Sequence, residues 1–330
     1  MKGSPLLLLT AFSLLTTTLA ANTTSPTPKR GLINPGNVTT GTIDLQTFLK
    51  SPSLTWVYDY TNEPPSPSSE YGSLNFVPQQ WNADSASQLA NTVEGDTNIT
   101  HVLGFNEPDA SGNGQSGMEP AYAAEVWKEY IEPLAAKGIK LGAPAVTGSP
   151  VGKVWLQQFF GNCTSCTIDF IPLHYYGTFE GLASHCGDIY YSFSNRTLWI
   201  TEFALDNASE EDTLGMMQTS LEWLDGLEWV ERYAWFGSFR SDVSNVGGNA
   251  AFLDGEGEVT ALGRLYLGNI TAVEGADQVS SGTGATSSGG SSSSTCSTGS
   301  SCVSAGWKVG VEVGHVAMGL ALGVFVVMLA

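Results

Sequence analysis

Eight short apolar runs, evenly interrupted by longer polar stretches, restrict the fold of this chain more than any other feature. They fall at 32–33, 55–58, 74–77, 101–105, 140–143, 168–174, 198–203 and 232–239. Each is rich in β-branched or aromatic residues and bounded by Gly, Pro or Asn, the pattern of parallel strands buried on both faces. Helical stretches lie between them at 83–93, 120–136, 151–160 and 210–227, and one at 261–267 closes the set after the last run. The second has Pro120 at its start and Gly138 just past its end, a helix start and stop with a physical basis in proline's fixed φ and glycine's freedom. Strands alternating with helices over residues 29–272 predict an α/β domain, a single (β/α)8 TIM barrel. An open doubly wound sheet would need a Gly-rich phosphate loop after the first strand, and none follows it.

The two ends read differently. Residues 1–20 carry Lys2, an apolar stretch and then Ala20-Ala21, the order of a secretory signal peptide. Residues 273–304 are dominated by Ser, Gly and Thr, a composition that cannot bury enough apolar surface to fold and reads as a stalk. Residues 305–330 join small residues, a spacer and an apolar tail, which is the signal for a GPI anchor. Seven glycosylation sequons begin at Asn22, Asn37, Asn98, Asn162, Asn195, Asn207 and Asn269, and behind a leader they predict a glycoprotein. Those at Asn98, Asn162 and Asn195 precede strands and fall at the amino face of a barrel, while Asn37 and Asn207 fall on the other. An oxidising route permits disulfides: one among Cys163, Cys166 and Cys186, with a thiol left over, and another between Cys296 and Cys302. The formal charge of −19 argues against nucleic acid as a partner. A secreted monomer on the outer membrane face and in the wall is the expectation.

In a barrel the carboxyl ends of the strands carry the active site. The fourth run leads into Asn106-Glu107-Pro108-Asp109 and the seventh into Glu202-Phe203-Ala204. A carboxylate at the end of an apolar strand is costly to bury without a partner or a task. Two of them facing one cleft are what glycosidic cleavage needs, one to donate a proton and one to attack or support the sugar. Aromatic residues that could stack on sugar, or simply fill the core, are Trp56, Tyr58, Trp81 and Trp235; Trp81 and Trp235 are the two assigned to substrate. His174, at a strand end beside Tyr175 and Tyr176, is placed in the site rather than the core. No zinc helix, Walker loop or nucleophile elbow occurs in the domain, and neither a metal nor a cofactor is expected. Lys29-Arg30 reads either as a processing site or as surface charge.

Lys29-Arg30-Gly31-Leu32, Gly104 through Asp109, Asp169-Phe170 with His174 through Gly177, and Trp199 through Ala204 together resemble glycoside hydrolase family 128. These are the Asl-like fungal endo-β-1,3-glucanases, within a larger clan of retaining barrel glycosidases. The resemblance spans nearly all of 29–272. It implies that Glu107 is the acid/base and Glu202 the nucleophile, that Asn106 holds the sugar 2-hydroxyl, and that His174 and Tyr176 line the site. Tyr175 departs from the family's usual Trp. The expected partner is β-glucan. A transglycosylase on the same polymer, a non-catalytic glucan-binding wall protein and a structural mannoprotein are the alternatives; the last two do not explain both carboxylates.

Overall fold

The computed structural model describes residues 28–36, 41–63, 69–112 and 114–271. The segments read as signal peptide, stalk and anchor, with Asn22, Asn37, Cys296 and Cys302, lie outside them. Eight parallel strands alternate with helices: β1 (Arg30–Ile33), α1 (Thr42–Phe48), β2 (Leu54–Tyr58), β3 (Asn75–Phe76), α2 (Leu89–Gly95), β4 (His101–Val102), α3 (Pro120–Val126), β5 (Lys140–Leu141), α4 (Pro150–Asn162), β6 (Phe170–Tyr176), α5 (Phe179–Ser192), β7 (Thr197–Ala204), α6 (Glu210–Gly226), β8 (Val230–Trp235) and α7 (Ala261–Leu267). Six strands pair in the order β3-β2-β1-β8-β7-β6 and two as β4-β5. Parallel bridges Gln79↔Leu103 and Gly142↔Phe170 join the two sets and close the ring. The expected eight-stranded barrel is therefore formed.

Its interior is unusually aromatic. Trp56, Tyr58, Trp199, Phe170, Tyr233 and Phe203 are all buried on the strands. Trp56 packs between Tyr58 and Trp199, with ring centroids 5.8 and 5.2 Å away. A Cβ on Gly31 would lie 2.2 Å from the Trp56 ring, so only glycine lets β1 pass this indole. Trp56 is thus barrel filling. Arg232 lies over Trp199 at 4.4 Å, a cation–π contact that compensates in part for burying a guanidinium.

Several boundaries moved for identifiable reasons. The helix expected over 120–136 begins at Pro120 but widens into a π turn at Trp127–Ile131 and tightens into a 3-10 helix at Glu132–Lys137. Pro133 lacks an N–H and crowds the carbonyl four residues back, so a regular helix cannot pass it. Gly138 ends the segment at φ 83, as expected. Strand β6 runs on to Tyr176, and β8 begins and ends earlier than the apolar run suggested. Helices α1 and α5 were not foreseen. The buried face of α5 is Leu182, Cys186 and Ile189, a helical spacing diluted by Gly, Ser and His.

Two basic residues and one disulfide fix the amino end of the barrel. Lys29 Nζ donates to the carbonyls of Leu224 and Leu227 at 3.0 and 2.6 Å, at the end of α6, and each of these carbonyls also accepts one backbone N–H. Arg30 donates to the Tyr233 hydroxyl and pairs with Asp225. The dibasic pair is thus a structural clasp in the folded domain. Cys163 and Cys166 form a disulfide just after α4 and Cys186 is a buried thiol, which agrees with one bridge among the three. Ser51 Oγ donates to the Leu267 carbonyl at 2.6 Å and Lys50 Nζ to that of Thr271 at 3.2 Å, so the chain beyond α7 stays against the entry to β2. Among the described residues no helix is long and apolar enough to cross a membrane.

Candidate active site

Glu107 and Glu202 meet at the carboxyl mouth of the barrel. Glu202 lies within β7, and Glu107 follows the stretch after β4. Glu107 has φ 42, a left-handed backbone that a non-glycine residue keeps only when its surroundings over-determine it. Its N–H donates to the Ala145 carbonyl at 2.7 Å. Two residues on, the Asp109 carboxylate accepts from the Thr147 N–H at 3.0 Å and the Thr147 hydroxyl at 2.5 Å. The Asn-Glu-Pro-Asp turn is therefore braced against the β5–α4 loop on both sides of the glutamate.

His174, on β6, stands between the two carboxylates. Its Nδ1 is 3.0 Å from Glu107 Oε1 and 3.5 Å from Glu202 Oε2. Both glutamates are buried, and His174 is completely so. The Nε2 atom has no partner among the described residues, so the ring proton belongs on Nδ1, where acceptors wait. Burial lowers the imidazole's affinity for a proton, but the Glu202 charge and the Glu107 hydrogen bond outweigh it and raise His174 above its ordinary value.

Tyrosine hydroxyls hold Glu202. Tyr176 donates to Oε2 at 2.6 Å and Tyr60 to Oε1 at 2.7 Å. Tyr58 donates to the Thr201 carbonyl at 3.1 Å, with Glu202 Oε1 at 3.5 Å. Burial raises the Glu202 carboxyl above its ordinary value and so does Glu107; the His174 charge and the two tyrosine hydrogen bonds oppose them. Burial, then the Glu202 charge, push all three tyrosines well above theirs, so the phenols remain donors. Glu107 Oε2 accepts from Gln115 Nε2 at 3.1 Å. Oxygens of Glu107 and Glu202 and a nitrogen of His174 lie within 4.8 Å of one another, a spacing that would also admit a metal ion. The tyrosine and glutamine donors already directed at these oxygens suit a carboxylate pair working on a sugar.

Asn106 sits beside Glu107 with its amide oriented at both ends. Gln79 Nε2 donates to Asn106 Oδ1 at 3.3 Å, and Asn106 Nδ2 donates to the Gly114 carbonyl at 2.9 Å. Trp81 is half-buried and its carbonyl accepts the Asn106 N–H at 2.9 Å. Trp235 is fully buried, its indole N–H donating to the Ala250 carbonyl at 2.9 Å and its ring against Phe203; it forms the wall behind β7. The structure thus gathers Glu107, Glu202, His174, Tyr176 and Asn106 and sets Trp235 apart from them. Tyr60 and Gln115 escaped sequence reasoning. For Tyr60 a signal existed, since Trp56, Tyr58 and Tyr60 continue the period of two that marks one face of a strand. Gln115 lies in a loop with no such mark.

Comparison with known proteins agrees with this geometry. The family profile described as glycosyl hydrolase catalytic core matches residues 36–266. Alkali-sensitive linkage protein 1 of Schizosaccharomyces pombe is 33% identical over 223 residues, 65% of this chain but only 40% of that protein. The chain therefore spans well under half of that relative. Among solved structures, a subgroup IV family 128 endo-β-1,3-glucanase from Lentinula edodes is 27% identical with a TM-score of 0.62, covering 73% of this chain and 99% of that one. A subgroup III curdlan-specific exo-β-1,3-glucanase from Blastomyces gilchristii, in complex with glucose, is 27% identical with a TM-score of 0.60, over 73% and 98%. A subgroup I endo-β-1,3-glucanase from Amycolatopsis mediterranei, in complex with laminaripentaose, is 27% identical with a TM-score of 0.57, over 72% and 98%. With the paired carboxylates at the ends of the fourth and seventh strands, these matches make the chain a member of the glycosyl hydrolase catalytic core family, and within it of glycoside hydrolase family 128.

Proposed function

We propose that this protein is a retaining β-1,3-glucan hydrolase with Glu202 as nucleophile and Glu107 as acid/base. The observation that carries the reading is the closeness of the two carboxylates. Their nearest oxygens lie within 4.8 Å, and retaining enzymes hold their carboxyl groups about 5–5.5 Å apart, too close for a water to fit between carboxylate and sugar as inversion requires. Division of the roles follows the hydrogen bonds. Two hydroxyls at 2.6 and 2.7 Å favour the charged form of Glu202, the form that attacks. Glu202 bonds to the anomeric carbon as the glycosidic C–O bond breaks, and Glu107 gives its proton to the departing oxygen. Glu107 then takes a proton from the water that attacks the same carbon, and Glu202 leaves as carboxylate. Asn106 is the residue for the 2-hydroxyl, His174 donates its Nδ1 proton between the carboxylates, and Trp81 is half-buried beside Asn106. The substrate class is supported by the family 128 relatives named above, whose members include both endo- and exo-acting β-1,3-glucanases.

The leader, stalk and anchor expected from residues 1–20, 273–304 and 305–330 fit an enzyme held at the cell surface, acting on the glucan of a fungal wall. The test is product release from linear β-1,3-glucan by the secreted protein, with cellulose in parallel and E107Q and E202Q as controls. Short oligosaccharides from the β-1,3 polymer alone, formed first as the β-anomer by NMR and lost in both variants, are the expected result. Initial α-anomer would refute retention. Activity surviving in E202Q would refute the assignment of the nucleophile. Products longer than the starting oligosaccharide would move the reading to transglycosylation.

A further inference from the structure

The hydroxyl on Oε1 of Glu202 comes from an uncommon backbone position. Trp56, Tyr58 and Tyr60 rise in steps toward the site, with ring centroids 5.8 Å and then 5.1 Å apart. Tyr60 lies beyond the end of β2 and has φ 65, the left-handed region that bulky residues rarely adopt. The residue before it accounts for this. Asp59 Oδ1 accepts the Thr61 N–H at 3.2 Å and the Thr61 hydroxyl at 2.9 Å, closing an Asx turn with Tyr60 at its centre. Asp59 Oδ2 accepts the Tyr71 hydroxyl at 2.6 Å, and the Tyr71 oxygen accepts the Asn34 side-chain amide at 3.0 Å, just past β1. On the far side the Thr61 carbonyl accepts the Gln79 N–H at 2.8 Å. The turn is therefore tied to the strand ends on both sides. Burial pushes the Asp59 carboxyl up to about 6, with Tyr71 and Thr61 pulling the other way. Among the described residues its hydrogen bonds go to Thr61 and Tyr71, and to neither glutamate.

We infer that Asp59 is a positioning residue for the nucleophile: it fixes the turn that aims the Tyr60 hydroxyl at Glu202, and it affects the reaction only through Tyr60. The inference rests on the reading of Glu202 as nucleophile. Its test is a double-mutant cycle of D59A and Y60F in the full-length protein, measured on a soluble β-1,3-oligosaccharide, with E202Q alongside. Y60F lowers kcat by roughly 10- to 100-fold, the worth of one hydrogen bond to a charged group. D59A lowers kcat toward the same level with KM within about twofold, and the double variant is no slower than the slower single one. D59N retains the Oδ1 acceptor for Thr61 and keeps a contact with Tyr71, its new Nδ2 donating to the phenol oxygen, and so restores kcat to within about threefold of the parent. Losses that multiply in the double variant, a D59A defect confined to KM, or D59A with parental kcat would each overturn the inference. Activity persisting in E202Q would instead overturn the nucleophile assignment, which keeps the two failures apart. Melting curves accompany every variant. Should D59A not fold, Y71F replaces it in the cycle, since it removes the hydroxyl that braces Asp59 Oδ2.

Discussion

Tyr176→Phe deletes a single oxygen from the site and leaves the ring, which packs on Phe236 at 5.9 Å, in place. The missing hydroxyl is the one 2.6 Å from Glu202 Oε2. In surroundings this poor in water a hydrogen bond to a charged group contributes about 1.5–3 kcal/mol. A factor of ten in rate is about 1.4 kcal/mol, so the expected loss is roughly 10- to 100-fold where ionisation of Glu202 limits the rate. The direction with pH follows from the sign of the bond. It favours the ionised carboxylate and opposes the burial that raises Glu202. Removing it raises Glu202 further, and the acid limb of kcat/KM moves to higher pH. The deficit is then largest on the acid side and shrinks as rising pH ionises Glu202 without help. Initial rates on a soluble β-1,3-oligosaccharide, from about pH 4 to pH 8, resolve the limb. An acid limb that stays in place or moves down, or a deficit that widens toward alkaline pH, would refute the role given to Tyr176.

Two further predictions concern stability and metal. Arg240 forks onto Asp44, with both N–O distances 2.9 Å and side-chain exposures of 11% and 3%. It thereby joins the segment after β8 to α1. Asp44→Ala leaves a buried guanidinium without its carboxylate, at about 3–5 kcal/mol, or roughly 6–20 °C in Tm for a domain of this size; a shift under about 2 °C by thermal unfolding would show that the pair is not a closing contact. Chelation should leave glucan hydrolysis unchanged, because the Glu107 and Glu202 carboxylates in the group close enough for a metal already receive donors from Gln115, Tyr60 and Tyr176. Loss of activity on dialysis against EDTA, restored by a divalent ion, would refute that.

The carboxylates were legible because each follows an apolar run, and burial makes an acidic residue conspicuous there. His174 was legible from its place at a strand end, and Tyr176 only through the family resemblance; β6 carries both. Tyr60 bore only the period of two that it shares with Trp56 and Tyr58; its task depends on φ 65, and a left-handed backbone leaves no mark in sequence. Trp235 illustrates the opposite error: an indole at a strand end suits a sugar platform or a core wall equally, and only the packing on Phe203 and the bond to Ala250 show that it faces inward. Helix α1 was missed because its buried face includes Asp44 and Thr47, polar residues that become core only once Arg240 arrives from the other end of the chain.

The seam formed by Ser51, Leu267, Lys50 and Thr271 also fixes the point at which residue 271 leaves the barrel. It lies at the entry to β2, so residue 271 leaves the domain at the pole opposite Glu107 and Glu202. The exposed sequon residues Asn98 and Asn195 sit at that same pole, just ahead of β4 and β7, and Asn162 ends α4 there. Anything joined after residue 271, whether the molecule's own tail, an affinity tag or a solid support, therefore starts from the rear of the barrel. A support attached close to residue 271 would therefore lie at the pole opposite the open mouth, leaving the mouth clear for a polymer too large to diffuse around the molecule.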